Sequence, residues 1–202
     1  LDRSASGRQN YLAPTMQSLV RSGLFERSDF ELTIWDSGST TLDHVDAVLD
    51  ALAPEVRVRV RSVSHPTRLD IHANMARMLA AGASSGCRYV VVLEDDIVVV
   101  NNWLGCVDRW LARYFDQSEY PVATFFTPYV ETLLIWVATS GRVGWWKYPA
   151  HGFWGTQCFA IRAETAGELA EMIMERRHPG FPDIMINRHY GDGVFLASVP
   201  SF

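Results

Sequence analysis

Apolar positions in the first half of the chain recur with two different periods, and each change of period marks a change of element. Leu12, Met16, Leu19 and Val20 share one face at helical spacing and predict a helix over 10–23. Glu31 to Trp35 predicts a short strand that runs into the turn signal Asp36-Ser37-Gly38-Ser39. The helical period returns in Leu42, Val45, Val48, Leu49 and Leu52. Val56, Val58 and Val60 then alternate with Arg57, Arg59 and Arg61, which predicts a half-buried strand whose arginine face is solvated. A further helix is predicted over 71–83, with Met75, Met78 and Leu79 inward. Tyr89 to Leu93 is an unbroken apolar run, as in a central strand covered on both faces. This order of strands and helices predicts an α/β fold with a doubly wound, mostly parallel sheet flanked by helices.

The second half is less regular. An amphipathic helix is predicted over 102–115, a strand over 121–126, a strand over 159–161 and a helix over 164–177. One or two further helical turns are expected after Pro182. Trp136 to Trp154 is rich in glycine and aromatics, including Trp145, Trp146, Tyr148 and Phe153. With no internal repeat and no low-complexity linker, residues 1–202 read as one domain. At 202 residues and 48% apolar composition the chain can bury a substantial core.

Composition removes some functions and leaves others. The net charge of −5 gives no electrostatic reason to bind a polyanion. Every cationic side chain except Lys147 is arginine. Cys87, Cys106 and Cys158 are odd in number and widely spaced, which fits neither a zinc site nor a complete disulfide framework, so a reducing compartment is expected. No apolar run approaches the roughly 20 residues that span a bilayer. The chain opens on Leu1 and carries no secretory pattern, which leaves room for a segment ahead of it.

The candidate chemistry sits where the buried run ends, at Glu94-Asp95-Asp96. Ligands of open α/β sheets gather at the carboxyl ends of strands. Three adjacent carboxylates repel one another unless a cation or hydrogen-bond donors compensate. Mg²⁺ or Mn²⁺ is the natural hard cation, and it would offset charge on a phosphate leaving group. Strand alternation predicts Glu94 and Asp96 on one side and Asp95 on the other. Acidic pairs at strand ends also serve phosphatases and receiver domains, and an acidic loop can simply end a strand in solvent.

Four ordered blocks give that motif a context. They are Arg8-Gln9-Asn10-Tyr11-Leu12 with Thr15 and Ser18-Leu19; Arg68 to Met78; Leu93-Glu94-Asp95-Asp96-Ile97-Val98; and Gly152-Phe153-Trp154-Gly155 with Pro182-Asp183 and Pro200-Ser201-Phe202. In this order they resemble the GT-A glycosyltransferases, most closely the N-acetylglucosaminyltransferase IV family that branches N-glycans, whose skeleton bacterial and phage enzymes share. The resemblance implies a GT-A fold, with residues 1–100 as the nucleotide-sugar half and 101–202 as the acceptor half. It implies a metal-dependent, inverting transfer from a nucleotide-diphosphate sugar, of the UDP-sugar type, to an acceptor hydroxyl. The acceptor is left open among glycan, protein, small molecule and modified nucleic acid. A cytoplasmic location is expected, or the Golgi lumen if an anchor once preceded Leu1. The family's closing Pro-Ser block continues into a Gln-His-Val-Gly stretch with no counterpart here. Its second aspartate in the Pro…Asp segment is matched here by Asn187.

Individual residues follow. Asp96 and Glu94 are the expected metal ligands, with Asp95 toward sugar or ribose. Asp36 is expected at the nucleotide base or ribose, or in an Asx turn satisfying its own backbone. Arg8 can grip a diphosphate bidentately, or form a surface ion pair. Arg68 and Asn74 precede the metal strand, Asn74 suited to a base edge or a sugar; His72 reads as an ordinary partly buried histidine. Trp154, Gly155 and Trp145 offer aromatic faces and bare backbone to a sugar ring, or else belong to the core. Asp183 matches the family's general base, with Asp192 as its rival and a helix cap as its alternative role. Two other functions fit the same residues: a nucleotidyltransferase, and a catalytically silent sugar- or nucleotide-binding domain.

Overall fold

The structure is a computed structural model. It describes residues 11–39, 41–126, 134, 137–140, 144–153 and 156–199. The chain is α/β and divides into two compact units, one of residues 1–74 and 95–103, the other of residues 75–94 and 104–202. No helix among the described residues is long and apolar enough to cross a membrane.

In the first unit α1 (Leu12–Arg21) is followed by a 3₁₀ turn (Leu24–Glu26), β1 (Leu32–Asp36), α2 (Asp43–Asp50), α3 (Pro54–Arg57) and β2 (Val60–Ser64). α4 (Ile71–Ala83) begins here. β1 and β2 pair in parallel, Leu32 with Val60 through Asp36 with Ser64. Leu12, Met16 and Leu19 of α1 and Val45, Val48 and Leu49 of α2 are buried at the spacings the sequence predicts.

The predicted strand over 56–60 is corrected. Pro54 stands at the first helical position and opens the short helix α3, so β2 begins only at Val60 and Val58 is left 81% exposed. Alternation that brief cannot distinguish a strand from one helical turn. Nor is the arginine row simply solvated. Both terminal nitrogens of Arg59 donate to backbone carbonyls, one to Phe25 and one to Arg27, and the guanidinium lies 4.8 Å from the Phe30 ring centroid. Arg61 meets Glu31 at the exposed surface, 3.3 Å away.

The second unit holds a five-stranded sheet built from β3 (Tyr89–Leu93), β4 (Val122–Thr124), β5 (Gly144–Pro149), β6 (Cys158–Arg162) and β7 (Val194–Val199), in the order β3-β6-β4-β7-β5. Its helices are α5 (Trp103–Trp110), which continues as a π-helical turn (Leu111–Phe115), α6 (Ala163–Met174) and α7 (Pro182–Tyr190).

The sheet is mixed, where a mostly parallel one was expected. β4 and β7 are parallel, while β3–β6, β4–β6 and β5–β7 are antiparallel. An apolar run reports that a strand is covered on both faces but not which way its neighbour runs, and β7 was not foreseen at all.

Phe159 and Ile161 of β6 join a core with Leu79 of α4, Leu169 and Ile173 of α6, Met185 and Ile186 of α7, and Phe195 of β7. Phe153 meets Phe159 and Phe195 edge to face, at centroid distances of 5.9 and 5.3 Å. A methyl on Gly82 would come within 2.6 Å of Val90, so a bare backbone there lets α4 lie close on β3. Arg162 closes the end of the α5 helix region. It donates to the carbonyls of Phe115 and Ser118 at 2.7 Å each and of Tyr120 at 2.9 Å, over the Phe115 ring.

Candidate functional site

In the first unit the carboxyl ends of the parallel pair β1–β2 bring Asp36 beside Ser64. Asp36 Oδ2 accepts from the amides of Gly38 and Ser39 and from the Ser64 hydroxyl, each at 2.9 Å, and Oδ1 accepts from the Ser39 hydroxyl at 2.6 Å. A carboxylate offers about four acceptor positions, and this turn uses that number. The Asx-turn role expected of Asp36 is thus present, with three bonds on Oδ2 and one on Oδ1. Burial pushes the Asp36 carboxyl up, but the bonds from Ser39, Ser64 and Gly38 together outweigh it and hold the group below its usual value.

Gly38 has φ 93°, and a Cβ there would lie 2.5 Å from the Thr67 carbonyl oxygen. The amide of Leu69 donates to the Ser37 carbonyl at 2.7 Å. The segment carrying Arg68 is thus pressed against the Asp36 turn. Arg68 is exposed, with no ion pair or hydrogen bond among the described residues. Asp70 caps α4 through the Ala73 amide at 2.8 Å. One turn in, Asn74 carries a buried Oδ1 that receives no hydrogen bond among the described residues. His72 lies 3.7 Å from Asp70 and is mostly buried, the ordinary histidine expected.

The same unit anchors the acidic turn. β3 stops at Leu93 and residues 95–96 form a turn, so the strand alternation expected to sort Glu94 and Asp96 from Asp95 does not extend through them. The Thr15 hydroxyl on α1 donates to the Asp95 carbonyl at 2.8 Å, and the Ser18 hydroxyl accepts from the Val99 amide at 3.1 Å while donating to the Thr15 carbonyl at 2.8 Å. Thr15 and Ser18 are 3% and 2% exposed, hydroxyls on the buried face of an amphipathic helix. That position is the signal that could have marked them as anchors. Asp96 is exposed and has no partner among the described residues.

Glu94 belongs to the second unit. Its amide donates to the Gln157 carbonyl at 2.9 Å, extending the β3–β6 ladder by one residue, and its Oε1 accepts from the Thr156 hydroxyl at 2.5 Å. In β5, Trp146 packs on the core and Trp145 is 43% exposed, the outward-facing partner that two adjacent tryptophans in a strand require.

Asp183 is the second residue of α7, after Pro182, so it is not the cap residue; Phe181 holds that position. Its carboxylate sits in the helix's first turn, where the dipole favours an anion, and Oδ1 accepts from the Ile184 amide at 2.8 Å. Asn187, four residues on, shares that face. Its Nδ2 donates to the carbonyls of His151 at 2.6 Å and Phe153 at 3.3 Å. A second aspartate there would have no proton to give either oxygen, which explains the asparagine. Asp192 is exposed in the Gly191–Gly193 loop. Arg8, Trp154 and Gly155 lie outside the described residues.

Among the described residues, no three His, Cys, Asp or Glu side chains gather as a self-sufficient metal cage. A Mg²⁺-type ion on a diphosphate takes only one or two protein carboxylates, with phosphate and water completing its shell. Asp96, exposed at the turn, is a single carboxylate of that kind. Compared with models of known protein families the sequence matches none, and it matches no curated protein.

Two outcomes follow from this geometry. The folded-state value of Asp36 is depressed, so its contribution to stability is complete above the unfolded carboxylate value of about 3.9 and is lost as pH falls through the folded value. Asp36→Asn should lower stability by about 1–3 kcal/mol at neutral pH. The gap should narrow below about pH 4, read by urea denaturation across the acid range. Asn187→Asp should be less stable than Asn187→Ala, by about 1 kcal/mol, because it sets a carboxylate against two carbonyl oxygens. Equal stability of the two variants would remove the clamp.

Proposed function

We propose that the chain is a GT-A-type glycosyltransferase that moves a sugar, with inversion, from a nucleotide-diphosphate donor of the UDP-sugar class to an acceptor hydroxyl. The observation that carries this reading is the anchoring of the acidic run. Glu94 is tied to Thr156 and Gln157, and the Asp95 backbone to Thr15. An acidic loop that merely ends a strand in solvent needs no such anchors. Thr15 lies in the block that resembles the family's opening, and Thr156 and Gln157 directly follow Gly152-Phe153-Trp154-Gly155.

Asp96, exposed and unengaged, is the residue to hold a divalent cation, with Glu94 as second candidate. When bound, that cation supplies compensation for negative charge on the diphosphate. Arg68, held against the Asp36 turn, is a guanidinium suited to phosphate oxygens. The buried Oδ1 of Asn74 is a spare acceptor on the same helix start.

Chemistry requires the acceptor oxygen to attack the anomeric carbon as the bond from that carbon to the diphosphate oxygen breaks. The acceptor's proton passes to the Asp183 carboxylate. Asp183 shares a helix face with Asn187, which grips the carbonyls of His151 and Phe153 just ahead of Trp154-Gly155. That is the stretch suited to a sugar ring.

Two substitutions test this. Asp96→Ala should fold as the parent does and lose Mn²⁺-dependent UDP-sugar binding in calorimetry; unchanged affinity would sink the metal assignment. Asp183→Asn should lower transfer by roughly 10²–10⁴-fold with donor affinity nearly intact, while Asp192→Asn turns over like the parent. The reverse pattern would move the base to Asp192.

A further inference from the structure

Glu94 ends a strand on a side chain with three torsions, and a carboxylate so placed would sample several orientations unless something fixes it. Two contacts do. The backbone is pinned because the Glu94 amide donates to the Gln157 carbonyl at 2.9 Å, continuing the register in which Leu93 faces Cys158. The side chain is pinned because the Thr156 hydroxyl donates to Oε1 at 2.5 Å, in a partly buried setting. Threonine is suited to this task. Its β-branched Cβ restricts the first torsion, so the hydroxyl is a donor of nearly fixed direction. A hydrogen bond to an ionised acceptor is also stronger than one between neutral groups.

From this geometry we infer that Thr156 is the positioning residue of the candidate site. It commits one oxygen of Glu94 to the protein and fixes the plane in which the carboxylate meets a ligand. The inference rests on the proposed function, and it adds a residue that touches neither sugar nor cation and acts through Glu94.

Thr156→Val tests this, because it keeps the shape and removes only the donor; Thr156→Ser restores a donor on a less rigid stem. The first measurement needs no ligand. Urea denaturation of Thr156→Val, Glu94→Ala and the double variant should give stability changes that are clearly non-additive. The second is calorimetric titration with UDP, GDP and CDP, each with and without MnCl₂. The parent should bind one of them in a Mn²⁺-dependent way. Thr156→Val should weaken that binding about tenfold, the order expected when one charge-assisted hydrogen bond is lost. Thr156→Ser should stay within about threefold of the parent, and Thr156→Val should add nothing once Glu94 is Ala. A parent that binds while Thr156→Val binds equally well overturns the positioning role and leaves the function standing. Additive stabilities overturn the contact itself. A parent that binds none of the three nucleotides with Mn²⁺ overturns the proposed function and this inference with it.

Discussion

Wherever a strand or helix stops in this molecule, backbone N–H and C=O groups lose their regular partners, and they cannot be left unpaired where water does not reach. Side chains from distant parts of the sequence take up many of them. Arg162 collects three carbonyls where the α5 helix region ends. Arg59 does the same for the loop after the 3₁₀ turn, and Asn187 for the turn ahead of Trp154. Thr15 holds Asp95 within the acidic run, Ser18 holds Val99 after it, and Asp36 gathers two amides of its own turn. The irregular segments owe their defined shape to these bonds, and the candidate site is made of such segments.

This dependence changes how the acidic motif reads. Three carboxylates in a row look interchangeable as letters, but their surroundings differ. Glu94 is gripped at both backbone and side chain within the second unit. Asp95 is held in the first unit through its carbonyl, while Asp96 projects from the turn with no partner among the described residues. Repulsion among the three is eased first by giving Glu94 a hydroxyl donor. The residue with the least protein bonding is then the one whose charge is most available to a cation.

Asp36 shows the opposite case. Its place at the end of a parallel strand is where ligands gather in open α/β sheets. Yet four hydrogen bonds tie it to Gly38, Ser39 and Ser64, and its most direct effect is to shape the turn against which Arg68 lies. A carboxylate at a ligand-binding edge can serve the backbone there and leave recognition to its neighbours.

The sequence alone determined that the chain is α/β, where most helices lie, and which faces they bury. Leu12, Met16 and Leu19, like Val45, Val48 and Leu49, are buried as their spacing requires, because a period of 3.6 leaves one face of a helix apolar whatever it packs on. It also located the acidic strand end and required one of Trp145 and Trp146 to face outward, since both follow from local order. Strand direction, the existence of β7 and the conversion of 54–57 into a helix were decided only in three dimensions, for apolar runs and brief alternation carry no record of the partner strand. The roles of Thr15, Ser18, Thr156, Asn187 and Arg59 were hidden for the same reason. A polar side chain is read from sequence as a residue type, and its partner lies far off: Thr15, Thr156, Asn187 and Arg59 donate to groups 32 to 80 positions away, and Ser18 accepts from the Val99 amide 81 positions away. Only folding brings the two within hydrogen-bonding distance.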